Sequence, residues 1–130
     1  MKELTRDELL ALTDVPKEAL ELPQVGIVYV RGMSGKERDQ WENALMVGRG
    51  TNRRVDIRNA RARLAVRCLV DAHGVRLFDD KDAERLGNIR ADHLQRIFNV
   101  AQRLSGVSDE DLDELGKSSG NGDGAVSSST

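Results

Sequence analysis

One segment of the sequence, residues 91–104, restricts the possible folds more than any other. Its apolar side chains recur at intervals of three and four residues: Leu94, Ile97, Phe98, Ala101 and Leu104. On an α-helix this spacing places them in one stripe along about three turns. Because an apolar stripe is stable only when another element covers it, the rest of the chain has to supply a second layer.

Other helices are predicted from patterns that cap a helix N-terminus. Thr5 and Glu8, like Ser34 and Glu37, have the spacing of a capping box, in which each side chain bonds a backbone N–H of the other residue. Ser108 precedes a run of acids, which the helix dipole favours in a first turn. The predicted helices run from Thr5 to about Leu12, from Ser34 to before Gly48, from Asp79 or Asp80 to near Gly87, and from Ser108 to Gly116.

Two stretches predict a small antiparallel sheet. Residues 25–31 are β-branched and aromatic, which is typical of a strand. Residues 62–71 alternate between apolar and other side chains and predict a second strand, which a turn at Gly74 connects to a partner strand at 75–78. A helix is the competing interpretation of this segment, because some of its apolar residues also follow helical spacing. These residues are Ala62, Ala65, Val66 and Leu69.

Together these elements predict an α+β fold. The domain is expected to be small and rich in helix, with a short antiparallel sheet made of hairpin 62–78 and strand 25–31. Helix 91–104 covers this sheet, which buries the apolar stripe.

The chain divides into three regions by composition and pattern. Residues 1–23 are predicted to form an N-terminal helical segment, with a short second turn at Pro16. Residues 24–116 form the core domain. Residues 117–130 are rich in Ser and Gly and have too few apolar side chains to offset the entropy of ordering, so we expect a disordered tail.

Composition restricts the compartment. The 130 residues, 38% hydrophobic and 32% charged, suit one soluble domain. The single cysteine, Cys68, cannot form an internal disulfide, which favours a reducing cytosol. No apolar run reaches the roughly 18 residues of a membrane helix, and the first residues lack the apolar stretch of a signal peptide. We therefore expect a cytoplasmic protein.

The sequence contains no recognisable catalytic or ligand-binding motif. The Gly-Lys pairs at 35–36 and 116–117 lack the second glycine of a phosphate loop. The acids between 79 and 84 lack the central glycine of a calcium loop and suit the first turn of a helix. The possible soft metal ligands match no zinc spacing: Cys68, His73 and His93. We therefore expect no catalytic residue, no cofactor and no metal, and a protein that is not an enzyme.

Charge is segregated along the chain. Residues 1–48 carry a net charge of -3, residues 49–76 carry +6, and residues 77–130 carry -5. The seven arginines of the Arg49–Arg67 segment suggest a nucleic-acid-binding protein as an alternative function, since arginines neutralise phosphates. No aromatic residue lies in that segment to stack on a base, and the acidic flanks would repel the backbone. A solvated loop over 48–54 and a charged outer face are the favoured interpretation.

In their order and spacing, the segments resemble the phage tail assembly chaperone family of long-tailed bacteriophages and related prophages. No single segment is specific, and the resemblance covers about residues 5–118. The matching segments are Thr5–Leu10, Val28–Arg31 leading into Ser34–Asp39, Cys68–Phe78, Asp80–Gly87, and Leu94–Leu104 with Ser105-Gly106.

The resemblance implies a non-enzymatic, non-structural role in viral morphogenesis, in the cytoplasm of the host bacterium. Such chaperones coat the long helical tape measure protein before the tail tube polymerises around it, and are absent from the finished particle. The tape measure protein is therefore the expected partner, with the tail tube protein and a second copy of the chain as further candidates. In several relatives a ribosomal frameshift adds a second domain, and the codons of Gly116-Lys117 are where a slippery site would lie. The sequence leaves the partner-binding residues unknown.

Overall fold

The structure of the protein, a computed structural model, describes residues 1–124. This part of the chain contains six α-helices, five β-strands and two short 3₁₀ turns. The helices are α1 (Arg6–Leu10), α2 (Gly35–Ala44), α3 (Ala60–Cys68), α4 (Ala83–Leu86), α5 (Ala91–Leu104) and α6 (Asp109–Gly124). The strands are β1 (Lys17–Leu22), β2 (Gly26–Arg31), β3 (Met46–Val47), β4 (Arg54–Val55) and β5 (Leu69–Val70).

The sheet is small and antiparallel. β2 lies in the middle, between β1 and β5, and its register pairs Tyr29 with Ala19 on one side and with Val70 on the other. β3 and β4 form a separate two-stranded ribbon. A small antiparallel sheet among several helices confirms the predicted α+β fold class, and β2 confirms the strand predicted at 25–31.

α5 covers the sheet and buries its apolar stripe against it, as predicted from the spacing of its apolar residues. It contacts β1 and β2 and packs along α3. Ile97, Phe98 and Ala101 of its stripe are buried. The core continues through Val30 on β2 and Leu64 on α3, both of which are fully buried.

Residues 62–71 do not form the predicted strand. They lie mainly in α3, and only Leu69 and Val70 are extended. α3 contacts α2, α4 and α5, and more than half of its residues are buried. A helix enclosed on several sides hides more than one stripe, so its buried residues also matched the alternation expected of a strand. The competing helical interpretation is the correct one. The buried residues are Ala62, Leu64, Ala65, Val66 and Cys68.

The predicted hairpin 62–78 is reduced to the turn around Gly74. The amide of Asp71 donates a hydrogen bond of 2.9 Å to the carbonyl of Val75, and the amide of Leu77 donates one of 3.1 Å to the carbonyl of Leu69. Gly74 has a φ of +87°, in the left-handed region where glycine is favoured.

Residues 17–22 form β1 rather than the helical turn predicted at Pro16. Alternate side chains of β1 are turned inward, and each of its residues pairs with β2. The carbonyl of Pro16 also accepts a hydrogen bond of 2.9 Å from the amide of Gly32. The second half of the predicted helical segment 1–23 therefore belongs to the sheet.

The predicted helix starts are confirmed by their caps. Both capping boxes form at the starts of α1 and α2, where Thr5 and Ser34 accept from the expected backbone amides. At the start of α6, the hydroxyl of Ser108 accepts a hydrogen bond of 3.0 Å from the amide of Asp111.

The end of α6 differs from the prediction. The helix continues to Gly124, past the predicted end at Gly116. The last residues of the predicted disordered tail 117–130, from 125 onward, lie outside the described residues. Over residues 1–124, no helix combines the length and apolarity needed to cross a membrane.

Candidate partner-binding groove

A groove of about 480 Å³ lies between α2, α3, α5 and α6. Trp41, Leu45 and Phe98 form the buried part of its surface. Leu112 and Leu115 of α6 are half-buried at its edge. We call this cavity the α6 groove. An apolar, concave surface of this size between helices is typical of a binding site.

One wall of the α6 groove is polar without being charged. Gln95, Asn99 and Gln102 follow one another along α5 at helical spacing. The side-chain amide of Gln95 donates a hydrogen bond of 2.7 Å to Asn99 Oδ1, and that of Gln102 donates one of 2.7 Å to Asp109 Oδ1. Amides both donate and accept, so this wall can bond polar groups at the edge of an apolar ligand.

A positive charge lies at the mouth of the groove. The guanidinium carbon of Arg61 is 5.6 Å from the centroid of the Phe98 ring, and Arg61 is exposed. A cation over an aromatic face is held in place by the ring quadrupole. Arg61 thereby presents a positioned charge for an acidic group on a ligand.

Trp41 carries an unused hydrogen-bond donor. Its side chain is only 1% exposed, and its indole N–H makes no hydrogen bond within the described part of the chain. Trp41 lines both the α6 groove and a smaller cavity of about 90 Å³ beside Arg63 and Arg67. A buried donor without a partner lowers stability by about 1–3 kcal/mol.

Cys68 is a buried core residue at the end of α3. Its Sγ is 3.6 Å from Ser105 Oγ. Burial raises the pKa of the Cys68 thiol to about 11. The thiol is therefore protonated at neutral pH and is a poor nucleophile.

The other candidate ligands are not brought into a metal site. His73 is exposed in the turn after β5, and His93 is half-buried on α5. Asp79 and Asp82 cap each other's backbone at a 3₁₀ turn, which confirms the interpretation of these acids as a helix start. Within residues 1–124, no group of three or more His, Cys, Asp or Glu side chains could hold a metal ion.

Four of the seven arginines of the Arg49–Arg67 segment make contacts within the protein. Arg58 forms an ion pair of 3.0 Å with Asp56, which holds the pKa of that carboxyl at about 2. Arg63 donates to the backbone carbonyl of Asp56 at 2.8 Å, and Arg67 reaches Asp80 at 2.5 Å. Together with Arg61 on Phe98, these contacts engage four of the arginines.

Three arginines of the segment make no ion pair, side-chain hydrogen bond or cation–π contact among the described residues. Arg49, Arg53 and Arg54 are exposed on or beside the β3–β4 ribbon. β4 contacts α6, so this basic ribbon flanks the α6 groove. Residues 48–53 form an exposed loop as predicted, with a 3₁₀ turn at Gly50–Asn52, whereas Arg54 begins β4.

Comparison of the chain with protein-family models, with curated protein sequences and with solved structures gives no match. Sequence reasoning did not identify the groove, because its walls come from four helices that are distant along the chain. The one local signal is the amide row on α5, which interrupts the charged face expected opposite an apolar stripe.

Proposed function

We propose that the protein is a phage tail assembly chaperone. It binds the tape measure protein in the cytoplasm of the host bacterium, keeps it soluble, helps to recruit tail tube subunits and is absent from the mature virion. The order of the sequence segments supports this family. The observation that carries the proposal is the α6 groove, an apolar surface with a polar wall and two charged side chains, Arg61 and Asp109.

A groove of this kind suits an amphipathic helix. Such helices bind by placing apolar side chains at i, i+3, i+4 and i+7 into a hydrophobic groove. Ile57, Leu112 and Leu115 offer apolar contacts, while the amides of α5 face the polar edge of the ligand. The tape measure protein is long and helical, so it would present many such segments along its length.

The rest of the surface suits a solubilising role. The chain is 32% charged, and the groove lining includes one basic and one acidic side chain, Arg61 and Asp109. A highly charged exterior keeps a complex in solution after its apolar surfaces are covered. The mechanism is stoichiometric binding, and it needs no catalytic residue.

The test is co-expression with the tape measure protein of the same gene cluster. Ile57 lines the groove and is 48% exposed, whereas Ile27 on β2 is 58% exposed and lies outside the groove. We expect the tape measure protein to be soluble with the wild-type chain and with Ile27→Asp, and to be lost to the pellet with Ile57→Asp. Equal insolubility with and without the wild-type chain would refute the proposed function.

A further inference from the structure

β1 forms an open edge of the three-stranded sheet. In the described part of the chain its one strand neighbour is β2, and α5 contacts it from one face. The opposite edge of the sheet is closed, because Val70 pairs with Tyr29 of β2 on one side and forms a bridge with Arg76 on the other. An unpaired strand edge is a template for pairing with another chain. β1 is therefore the edge on which a further strand can pair.

The backbone groups that point out of this edge belong to Lys17, Ala19 and Glu21. In an antiparallel pair, every second residue exchanges its hydrogen bonds with the neighbouring strand. The bond from the Gly32 amide to the Pro16 carbonyl fixes this alternation, so the even-numbered residues of β1 bond β2. No other backbone hydrogen bond is described for the odd-numbered ones. Their N–H and C=O groups are available to a second strand.

The alternation selects one register between two copies of β1. Only outward-pointing residues can bond across the edge, so Lys17, Ala19 and Glu21 of one copy have to face the same set in the other. When the strands run antiparallel and Ala19 faces Ala19, Lys17 of each copy lies opposite Glu21 of the other copy. A shift by two residues in either direction pairs fewer residues and takes Lys17 out of its place opposite Glu21.

The charges on the outer side of β1 complement each other in this register. Lys17 and Glu21 are both exposed on the side away from α5, and neither makes an ion pair among the described residues. Lys17 Nζ donates a hydrogen bond of 2.6 Å to the carbonyl of Ala72, and its ammonium group has further donors for a carboxylate. Arg31, beside Lys17 on β2, is already paired with Glu37 at 3.0 Å. Opposite charges directly across two strands stabilise their pairing.

The side of β1 that faces α5 tolerates the same register. Leu20 comes to lie opposite Glu18 of the other copy, and the two Glu18 residues are diagonal neighbours across the twofold axis. Arg103 holds Glu18 through two hydrogen bonds of 2.8 Å to its carboxylate oxygens. Each of these carboxylates is therefore paired with a cation of its own chain, which limits their repulsion.

We infer that two copies of the protein pair antiparallel along β1, with Ala19 at the twofold axis, and so join their three-stranded sheets into one continuous sheet. The outward-pointing residues of the two copies exchange about six backbone hydrogen bonds, and Lys17 and Glu21 form an ion pair at each end. The contact is short, and small interfaces are typical of weak association. The dimer is a property of the chain alone and does not rest on the proposed function.

Sedimentation of the purified chain at concentrations up to about 1 mM measures the association. Lys17→Glu and Glu21→Lys each place like charges opposite one another at both ends, and each variant should dimerise at least about tenfold more weakly than the wild type. An equal mixture of the two variants restores opposite charges at both ends, so it should form a heterodimer about as strong as the wild-type dimer. Arg54→Glu is the matched control, since it makes the same charge change on another exposed strand residue.

Ala19→Pro tests the backbone contact separately. It removes an amide that points out of the edge and leaves the hydrogen bonds between β1 and β2 in place, so the chain should fold and lose its dimer. Circular dichroism checks that each variant is folded. A wild type that stays monomeric up to about 1 mM would overturn the inference, and so would a mixture that associates no better than its two components. No tape measure protein is present, so these results and those of the solubility experiment are independent.

Discussion

Gly32 lies so close to Leu104 that a methyl group on its α-carbon would overlap the carbonyl oxygen of Leu104. Gly32 follows β2 and is buried, and Leu104 is the last residue of α5. The amide of Gly32 also bonds the carbonyl of Pro16 ahead of β1. This residue therefore lies where two strands and the covering helix meet, and the position requires the absence of a side chain.

We expect Gly32→Ala to lower the free energy of unfolding by about 1–3 kcal/mol, because the backbone of α5 has to move to admit the methyl group. Gly35→Ala is the matched control, since no atom lies within 4 Å of the added carbon there. That variant should be unchanged or slightly more stable, because alanine suits a helix better than glycine. Urea denaturation measures the stability of both variants. Equal unfolding midpoints for Gly32→Ala and Gly35→Ala would contradict the close contact between Gly32 and Leu104.

Cys68 should resist thiol reagents in the folded protein. Its thiol is buried and has a pKa raised to about 11, so little thiolate forms at pH 8. We expect a chromogenic disulfide reagent to label the unfolded chain completely in denaturant, while the native chain stays unlabelled over the same period. Rapid labelling of the native protein at pH 8 would show that the end of α3 opens.

Asp56 should make stability depend on acid pH. Its pKa is lowered to about 2, first by the side-chain hydrogen bonds from Arg58 and then by the Arg58 backbone amide. A carboxylate with a lowered folded-state pKa stabilises the protein above its unfolded-state pKa of about 4, and this contribution disappears as the pH falls to about 2. Asp56→Asn should therefore be less stable than the wild type at pH 7 and equally stable near pH 2.

Thermal melts across this pH range measure the effect. Asp39→Asn is a suitable control, because Asp39 is exposed and makes no ion pair among the described residues. Its stability difference from the wild type should show no comparable loss between pH 4 and pH 2. If the stability difference between Asp56→Asn and the wild type stayed constant between pH 4 and pH 2, that would contradict the lowered pKa of Asp56.

Nucleic-acid binding should be absent or weak. Of the arginines in the Arg49–Arg67 segment, only Arg49, Arg53 and Arg54 make no side-chain contact among the described residues, and the segment contains no aromatic residue to stack on a base. We expect the retention of the chain on immobilised DNA to match that of a triple alanine variant of these arginines at every salt concentration. Retention by the wild type alone, falling steeply with salt, would favour the alternative function.

Local signals predicted the helix starts, β2 and α5. The caps at Thr5, Ser34 and Ser108 satisfy backbone groups within three residues, so no distant partner is needed. The apolar stripe of α5 spans several turns, which makes its period unambiguous. Residues 62–71 gave no single local signal, because their apolar residues matched both the helical and the strand period.

Local sequence patterns were enough to predict an amphipathic helix with one apolar face to bury, a β-branched strand and capped helix starts, since each depends on contacts between near neighbours. The helical state of residues 60–68 instead depends on packing, because α2, α4 and α5 enclose them and bury more than one face. Tertiary structure likewise made residues 17–22 a strand, since β2 supplies their hydrogen bonds. The α6 groove exists only after four helices from distant parts of the chain have packed, and no local pattern records that arrangement.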